Sequence, residues 1–172
     1  MWCSRPFASA LALILLFSST LAAQDSLTLD RIFNSNEFAP ERLGEVRWLE
    51  KQAAYVKLEA DSATGGQGLV RYDAASGKRQ LWIPAARLVP PGDSIPLAVE
   101  DYTVSPDQQK LLIFTNSQKV WRQNTRGDFW SLDIPTWKLR KLGGAQAKPS
   151  TLMFAKFSPE GNRVAYVREN NL

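Results

Sequence analysis

One pattern of apolar and polar positions occurs twice in this chain, at residues 104–114 and at residues 157–167. Each copy reads as an apolar residue, Ser-Pro, an acid, two turn-forming residues, a base and then four apolar residues. Ser-Pro followed by an acid is typical of a tight turn, and a short apolar run after a turn indicates a buried strand. The pattern therefore predicts, at both places, a turn that leads into a buried strand.

A looser copy of this pattern, without Ser-Pro, lies at residues 46–56. Aligned on their apolar positions, the three copies begin at Val46, Val104 and Phe157, which gives spacings of 58 and 53 residues. Units of this length that contain several strand-like runs are typical of β-propeller blades. We therefore expect an all-β fold, a partial β-propeller with about two blades and the start of a third.

Further strand-like runs complete the predicted blades. Those of the first blade lie at residues 46–48, 53–58, 69–73 and 79–83. Those of the second lie at residues 102–105, 111–115, 129–133 and 138–142. The segments between strands are predicted to be a loop with Gly65, Gly66 and Gly68, a proline-rich connection at residues 84–96 and a long polar loop at residues 116–128. The third unit begins at Met153.

The N-terminal residues differ from the rest of the chain. Residues 1–23 contain Arg5, an apolar run too short to span a bilayer and then small residues, which is typical of a secretory signal peptide. We expect residues 24–172 to be exported to the periplasm or secreted, with no membrane attachment after the signal is removed. Residues 27–33 predict a short helix that precedes the propeller, capped by Thr28 or Ser26.

Composition argues against several kinds of functional site. The net charge of +4 comes from basic and acidic residues that are interspersed along the chain without a long basic block, which does not favour nucleic-acid binding. The chain has no histidine and a single cysteine, Cys3, which lies within the predicted signal. We therefore expect no catalytic residue, no metal site and no cofactor in these residues. The acids Asp107, Asp133 and Glu160 are interpreted as turn or strand-end carboxylates.

Three motifs in order, Val120-Trp121-Arg122, residues 127–133 and residues 157–172, resemble the N-terminal propeller of the dipeptidyl peptidase IV family of serine peptidases. The resemblance implies an exported enzyme in which an eight-bladed propeller caps an α/β-hydrolase domain. Such enzymes release N-terminal dipeptides from peptides with proline or alanine second. Their catalytic serine, aspartate and histidine lie in the C-terminal domain, so this chain is expected to be a truncated part, and a homodimer of the full-length parent stays open.

One substrate contact of that family falls within these residues, an arginine directly after tryptophan in a propeller loop that points towards a substrate carbonyl. Arg122 matches it, and Arg126 is the second candidate. The alternative interpretation of Arg122 is a solvated loop residue stacked on Trp121. A different function also stays open, a non-catalytic exported propeller similar to TolB that binds a protein partner.

Overall fold

The computed structural model describes residues 27–40, 43–144, 146–169 and 171–172. The described residues fall into two units, residues 27–40 and those from residue 43 onwards. The predicted signal peptide lies outside the described residues, and so does Cys3.

The N-terminal unit, which precedes the blades in the chain, contains the predicted short helix, α1, at Leu29–Phe33. The hydroxyl of Thr28 accepts a hydrogen bond from the backbone N–H of Arg31 at 3.2 Å, so Thr28 is the N-cap. A capping hydroxyl satisfies one of the N–H groups that the first turn leaves unpaired. Among the residues that the structure describes, no helix is long and apolar enough to cross a membrane.

The first blade is a four-stranded antiparallel sheet, as predicted. Its strands follow one another in chain order, β1 at Val46–Trp48, β2 at Ala54–Asp61, β3 at Gly66–Asp73 and β4 at Arg79–Ile83. The prediction that Gly66 and Gly68 lie in a loop is wrong, because β3 contains both. They are needed for close approach: a Cβ on Gly68 would lie 2.9 Å from the carbonyl oxygen of Ile83, and one on Gly66 would lie 2.9 Å from Cγ of Pro96.

The second blade and the third unit share one larger sheet. The strands of the blade are β5 at Asp101–Val104, β6 at Lys110–Val120, β7 at Gln123–Asp133 and β8 at Lys138–Lys141. The third unit supplies β9 at Leu152–Phe157 and β10 at Val164–Arg168. β6 pairs along one edge of β7, whereas both β8 and β9 pair along the other. The proline-rich connection contains a 3₁₀ helix at Ala85–Leu88 that the sequence did not predict.

The prediction of a polar loop at residues 116–128 is also wrong. β6 continues to Val120 and β7 begins at Gln123, so these residues form a long two-stranded extension of the sheet. We call residues 116–127 the arm. Because the backbone groups of the arm are paired between strands, its side chains need not be apolar for the strands to form.

The repeat is present in the strand register, with one change of spacing. In each hairpin, the backbone N–H of the first turn residue donates to the carbonyl five residues later, at 2.9 Å in all three. The strand pair beside the turn is Trp48 with Tyr55, Val104 with Leu111, and Phe157 with Val164. The spacing of 53 residues is therefore confirmed, and the first spacing is 56 rather than 58. Apolar letters alone misaligned the first copy because it lacks the Ser-Pro that marks the turn.

Two hydrophobic clusters hold the two blades and the third unit together. β6 is buried on both faces, with Leu111 and Ile113 in one cluster and Leu112 in the other. The first cluster lies between the two blades and includes Val56, Leu69, Ile83, Leu88, Tyr102 and Leu132. The second joins the second blade to the third unit and includes Phe129 and Leu152, with Phe114, Phe157 and Tyr166 packed against it. The apolar run predicted as a buried strand is thus the centre of the fold.

Candidate functional site

The arm carries the Trp-Arg motif at its tip. Val120 pairs with Gln123, so Trp121 and Arg122 form the two-residue turn between β6 and β7. Since β6 starts at the Ser-Pro turn and ends at Val120, the tip projects from the opposite end of the sheet. Trp121 has a φ of 59°, in the left-handed region that is rare for a bulky residue. The first central residue of a two-residue hairpin turn usually has a positive φ, so the tip is a candidate site because it carries the exposed Trp-Arg motif.

Arg122 is stacked on its neighbour. Its guanidinium carbon lies 4.8 Å from the centre of the Trp121 ring, and the tryptophan is 84% exposed. A guanidinium over an indole face is attracted by the negative charge of the ring face. Arg122 has no ion-pair partner among the described residues. Its N–H donors are therefore available for a ligand, and the stacking itself is common to both interpretations of this residue.

Arg126, the second candidate, lies in a different part of the arm. It is within β7, where its backbone is paired with Gln118 of β6 on one side and with Met153 of β9 on the other. Its side chain is exposed and also has no ion-pair partner within the described ranges. The structure thus separates the two arginines, one at the tip and one in the three-stranded base of the arm.

A glycine and two aromatic rings lie where the arm leaves the core. A Cβ on Gly127 would lie 2.3 Å from Cε2 of Phe114 and 2.9 Å from the carbonyl oxygen of Thr115. The Phe114 ring is in turn 4.7 Å from the ring of Phe129, centre to centre. The arm can therefore leave the core at this angle only with glycine at this position. Sequence reasoning took Gly127 as a loop residue, although an isolated glycine before a strand-like run is a signal for close packing.

A buried carboxylate lies beside this glycine. Asp128 is 6% exposed, and its Oδ2 accepts a hydrogen bond from Nδ2 of Asn116 at 3.0 Å. Its Oδ1 accepts one from the backbone N–H of Ser150 at 3.0 Å and lies 3.3 Å from Nζ of Lys141. A buried carboxylate needs such partners, since leaving it unpaired is costly. Sequence reasoning missed this cluster because its members lie far apart along the chain.

Two other acids singled out from the sequence are turn carboxylates, as expected. The hydroxyl of Ser105 donates to Oδ1 of Asp107 at 2.5 Å, and this bond lowers the pKa of Asp107. The hydroxyl of Thr136 donates to Asp133 and lowers the pKa of that group. Both carboxylates are ionised and stabilise the turns that contain them. Within the described part of the chain, no group of three or more potential ligands among His, Cys, Asp and Glu could hold a metal ion.

Comparison with known families agrees with this arrangement. The model of the family described as dipeptidyl peptidase IV (DPP IV) N-terminal region matches residues 105–172, which include the arm and the third unit. The resemblance that the Trp-Arg and Ser-Pro motifs predicted is therefore confirmed.

Individual relatives extend the similarity towards the N-terminus. Dipeptidyl aminopeptidase B of Saccharomyces cerevisiae is 38% identical over 76 residues, which are 44% of this chain and 9% of that protein. A probable dipeptidyl peptidase 4 of Aspergillus fumigatus is 25% identical over 158 residues, 91% of this chain and 19% of the relative. This chain thus spans about a fifth or less of the length of the curated relatives it matches.

The fold is similar to that of a solved member of this group. The crystal structure of Porphyromonas gingivalis dipeptidyl peptidase 4 matches with a TM-score of 0.63 and 25% identity over 84% of this chain, which is 19% of that chain. Together with the two antiparallel sheets, this match confirms the predicted all-β fold and the partial β-propeller.

Proposed function

We propose that this chain is the N-terminal propeller portion of an exported serine dipeptidyl peptidase, which releases N-terminal dipeptides from peptides with proline or alanine second. The observation that carries the proposal is the exposed Trp121–Arg122 tip within the residues that match the dipeptidyl peptidase IV family. The similar proteins named above are dipeptidyl peptidases, which supports the proposal that this chain is part of a peptidase of this type.

In this proposal the chain controls access of the substrate and contributes one contact to it, but does not cleave the peptide bond. It has no histidine, so the proton transfers of a serine peptidase need groups from another domain. The proposed role of Arg122 is to donate hydrogen bonds to a substrate carbonyl oxygen, with Arg126 as the second candidate. A planar guanidinium offers several donors in a fixed geometry, and stacking on Trp121 restricts its motion before substrate arrives. Less conformational freedom is then lost on binding.

The predicted processing and assembly complete the proposal. Residues 1–23 act as the signal for export, and residues 24–172 function in the periplasm or outside the cell. The full-length parent is proposed to act on peptides, and its homodimer stays a prediction.

The decisive experiment compares two arginines in the full-length parent. We expect Arg122→Ala to lower kcat/KM for Gly-Pro and Ala-Pro chromogenic substrates, and Arg126→Ala to have the smaller effect. The alternative, a non-catalytic propeller similar to TolB, stays a prediction and is tested by the gene itself. A Gly-x-Ser-x-Gly nucleophile motif encoded downstream supports the peptidase, whereas a parent without one contradicts it.

A further inference from the structure

Two residues of β6 form a β-bulge where the arm leaves the sheet. Thr115 pairs with Asp128 and Gln118 pairs with Arg126, so two residues of β6 lie opposite one residue of β7. Asn116, the first of the two, has a φ of 50°. An extra residue of this kind bends the strand and increases its local twist. The bulge therefore sets the direction in which the arm leaves the blade.

Asp128 and Ser150 hold this bulge from two sides. Asp128 accepts the side-chain N–H of Asn116 at 3.0 Å, and the hydroxyl of Ser150 donates to the carbonyl oxygen of Asn116 at 2.6 Å. Ser150 also donates its backbone N–H to Asp128 at 3.0 Å, which closes the set. Asp128 and Ser150 are 6% and 2% exposed, so these bonds are protected from water. We call Asn116, Asp128 and Ser150 the arm anchor.

The neighbouring contacts connect the anchor to the rest of the sheet. The backbone N–H of Ser117 donates to Oε1 of Glu100 at 2.9 Å, and its hydroxyl bonds to the other oxygen of that carboxylate. Ser150 lies just before β9, which pairs with β7 at the base of the arm. The second residue of the bulge is therefore bonded to the segment before β5, and the start of the third unit is bonded to the base of the arm.

We propose that Asp128 is a positioning residue, which fixes the direction of the arm and thereby the place of Arg122. The importance of Arg122 rests on the proposed function, whereas the fixing of the arm does not. Beyond the bulge, the arm contacts the rest of the sheet through the pairing of Arg126 with Met153, whereas its tip is exposed, Trp121 to 84% and Val120 to 37%. Without the carboxylate, the amide of Asn116, the N–H of Ser150 and the Nζ of Lys141 lose their shared acceptor. The arm then moves while the two hydrophobic clusters stay packed.

Amide hydrogen exchange of the full chain tests this directly, because it reports local opening segment by segment. We expect Asp128→Ala to make the amides of residues 118–126 exchange at least roughly tenfold faster, with those of residues 111–114 little changed. Asp133→Ala is the matched control: it removes another hydrogen-bonded carboxylate at the far end of the same strand, and the arm should exchange as in the unaltered chain. Ser150→Ala, which removes only the hydroxyl, should give a smaller increase in the same residues.

Unchanged exchange in the arm of Asp128→Ala would overturn the proposal. So would equal loss of protection in the arm and in residues 111–114, since that is the result of a purely structural role. If Asp128→Ala does not fold, Asp128→Asn and Ser150→Ala give the same comparison with smaller perturbations.

Turnover separates this inference from the proposed function. In the parent peptidase, Asp128→Ala combined with Arg122→Ala should lower kcat/KM no further than Arg122→Ala alone, because Asp128 acts through Arg122. Losses that multiply would contradict a positioning role. If the arm exchanges faster in Asp128→Ala but Arg122→Ala does not change kcat/KM, the positioning role of Asp128 is supported and the proposed substrate contact is wrong.

Discussion

The hydroxyl of Tyr102 donates a hydrogen bond to the backbone carbonyl of Val56 at 3.1 Å, and so joins β5 of the second blade to β2 of the first. Tyr102 is 5% exposed and Val56 is fully buried, which places the bond inside the larger hydrophobic cluster. Burial raises the pKa of Tyr102 to about 12. The hydroxyl therefore stays protonated and continues to donate well above the pH at which an exposed tyrosine ionises.

Tyr102→Phe is expected to destabilise the chain at neutral pH by about 1 kcal/mol, because the buried hydrogen bond from the tyrosine hydroxyl to the Val56 carbonyl is lost. The unaltered chain should also lose stability as the pH rises from the ordinary tyrosine value of about 10 towards 12, since the unfolded state ionises first. Urea unfolding at neutral pH and near pH 11 measures both effects. An alkaline loss of equal size in Tyr102→Phe would show that another group is responsible.

Gly127→Ala is expected to destabilise the chain by about 1–3 kcal/mol, because the added methyl group overlaps the Phe114 ring. The measurement is the midpoint of urea unfolding. Combining it with Phe114→Leu, which removes the ring, provides the control: the double variant should lose less than the sum of the single losses. Additive losses would mean that the ring is not what excludes a side chain here.

In the full-length parent, Arg122→Ala is expected to lower kcat/KM without affecting folding, since the side chain is exposed and Trp121 is retained. A hydrogen bond from a charged donor contributes about 1.5–3 kcal/mol, which corresponds to a loss of roughly ten- to a hundredfold. Arg122→Lys should restore only part of this, because an ammonium lacks the planar geometry of a guanidinium. A larger loss in Arg126→Ala would assign the substrate contact to the base of the arm instead of its tip.

Export should remove the predicted signal, so that the mature protein begins near Ala23 or Gln24 and lacks Cys3. Intact mass of the exported protein and thiol labelling both measure this. A mature protein that still reacts with a thiol reagent would show that the signal is not cleaved as proposed.

The sequence by itself determined most of the strands and the repeat, because these depend on local chemistry. Ser-Pro turns and apolar runs predicted the hairpins at residues 104–114 and 157–167, and the structure has both. The sequence predicted α1 with Thr28 or Ser26 as its cap, and in the structure the cap is Thr28. The Trp-Arg motif likewise identified the candidate site, since it is contiguous along the chain.

Only the tertiary structure decided the arm and its anchor. Polar residues at 116–127 form strands because their backbone groups find partners in neighbouring strands, and no local pattern reveals a partner. Asp128 and Ser150 meet across 22 residues of sequence, and the packing of Phe114 determines that Gly127 admits no side chain. The arm direction therefore follows from contacts between distant residues, which become neighbours only once the blade and the third unit have folded together.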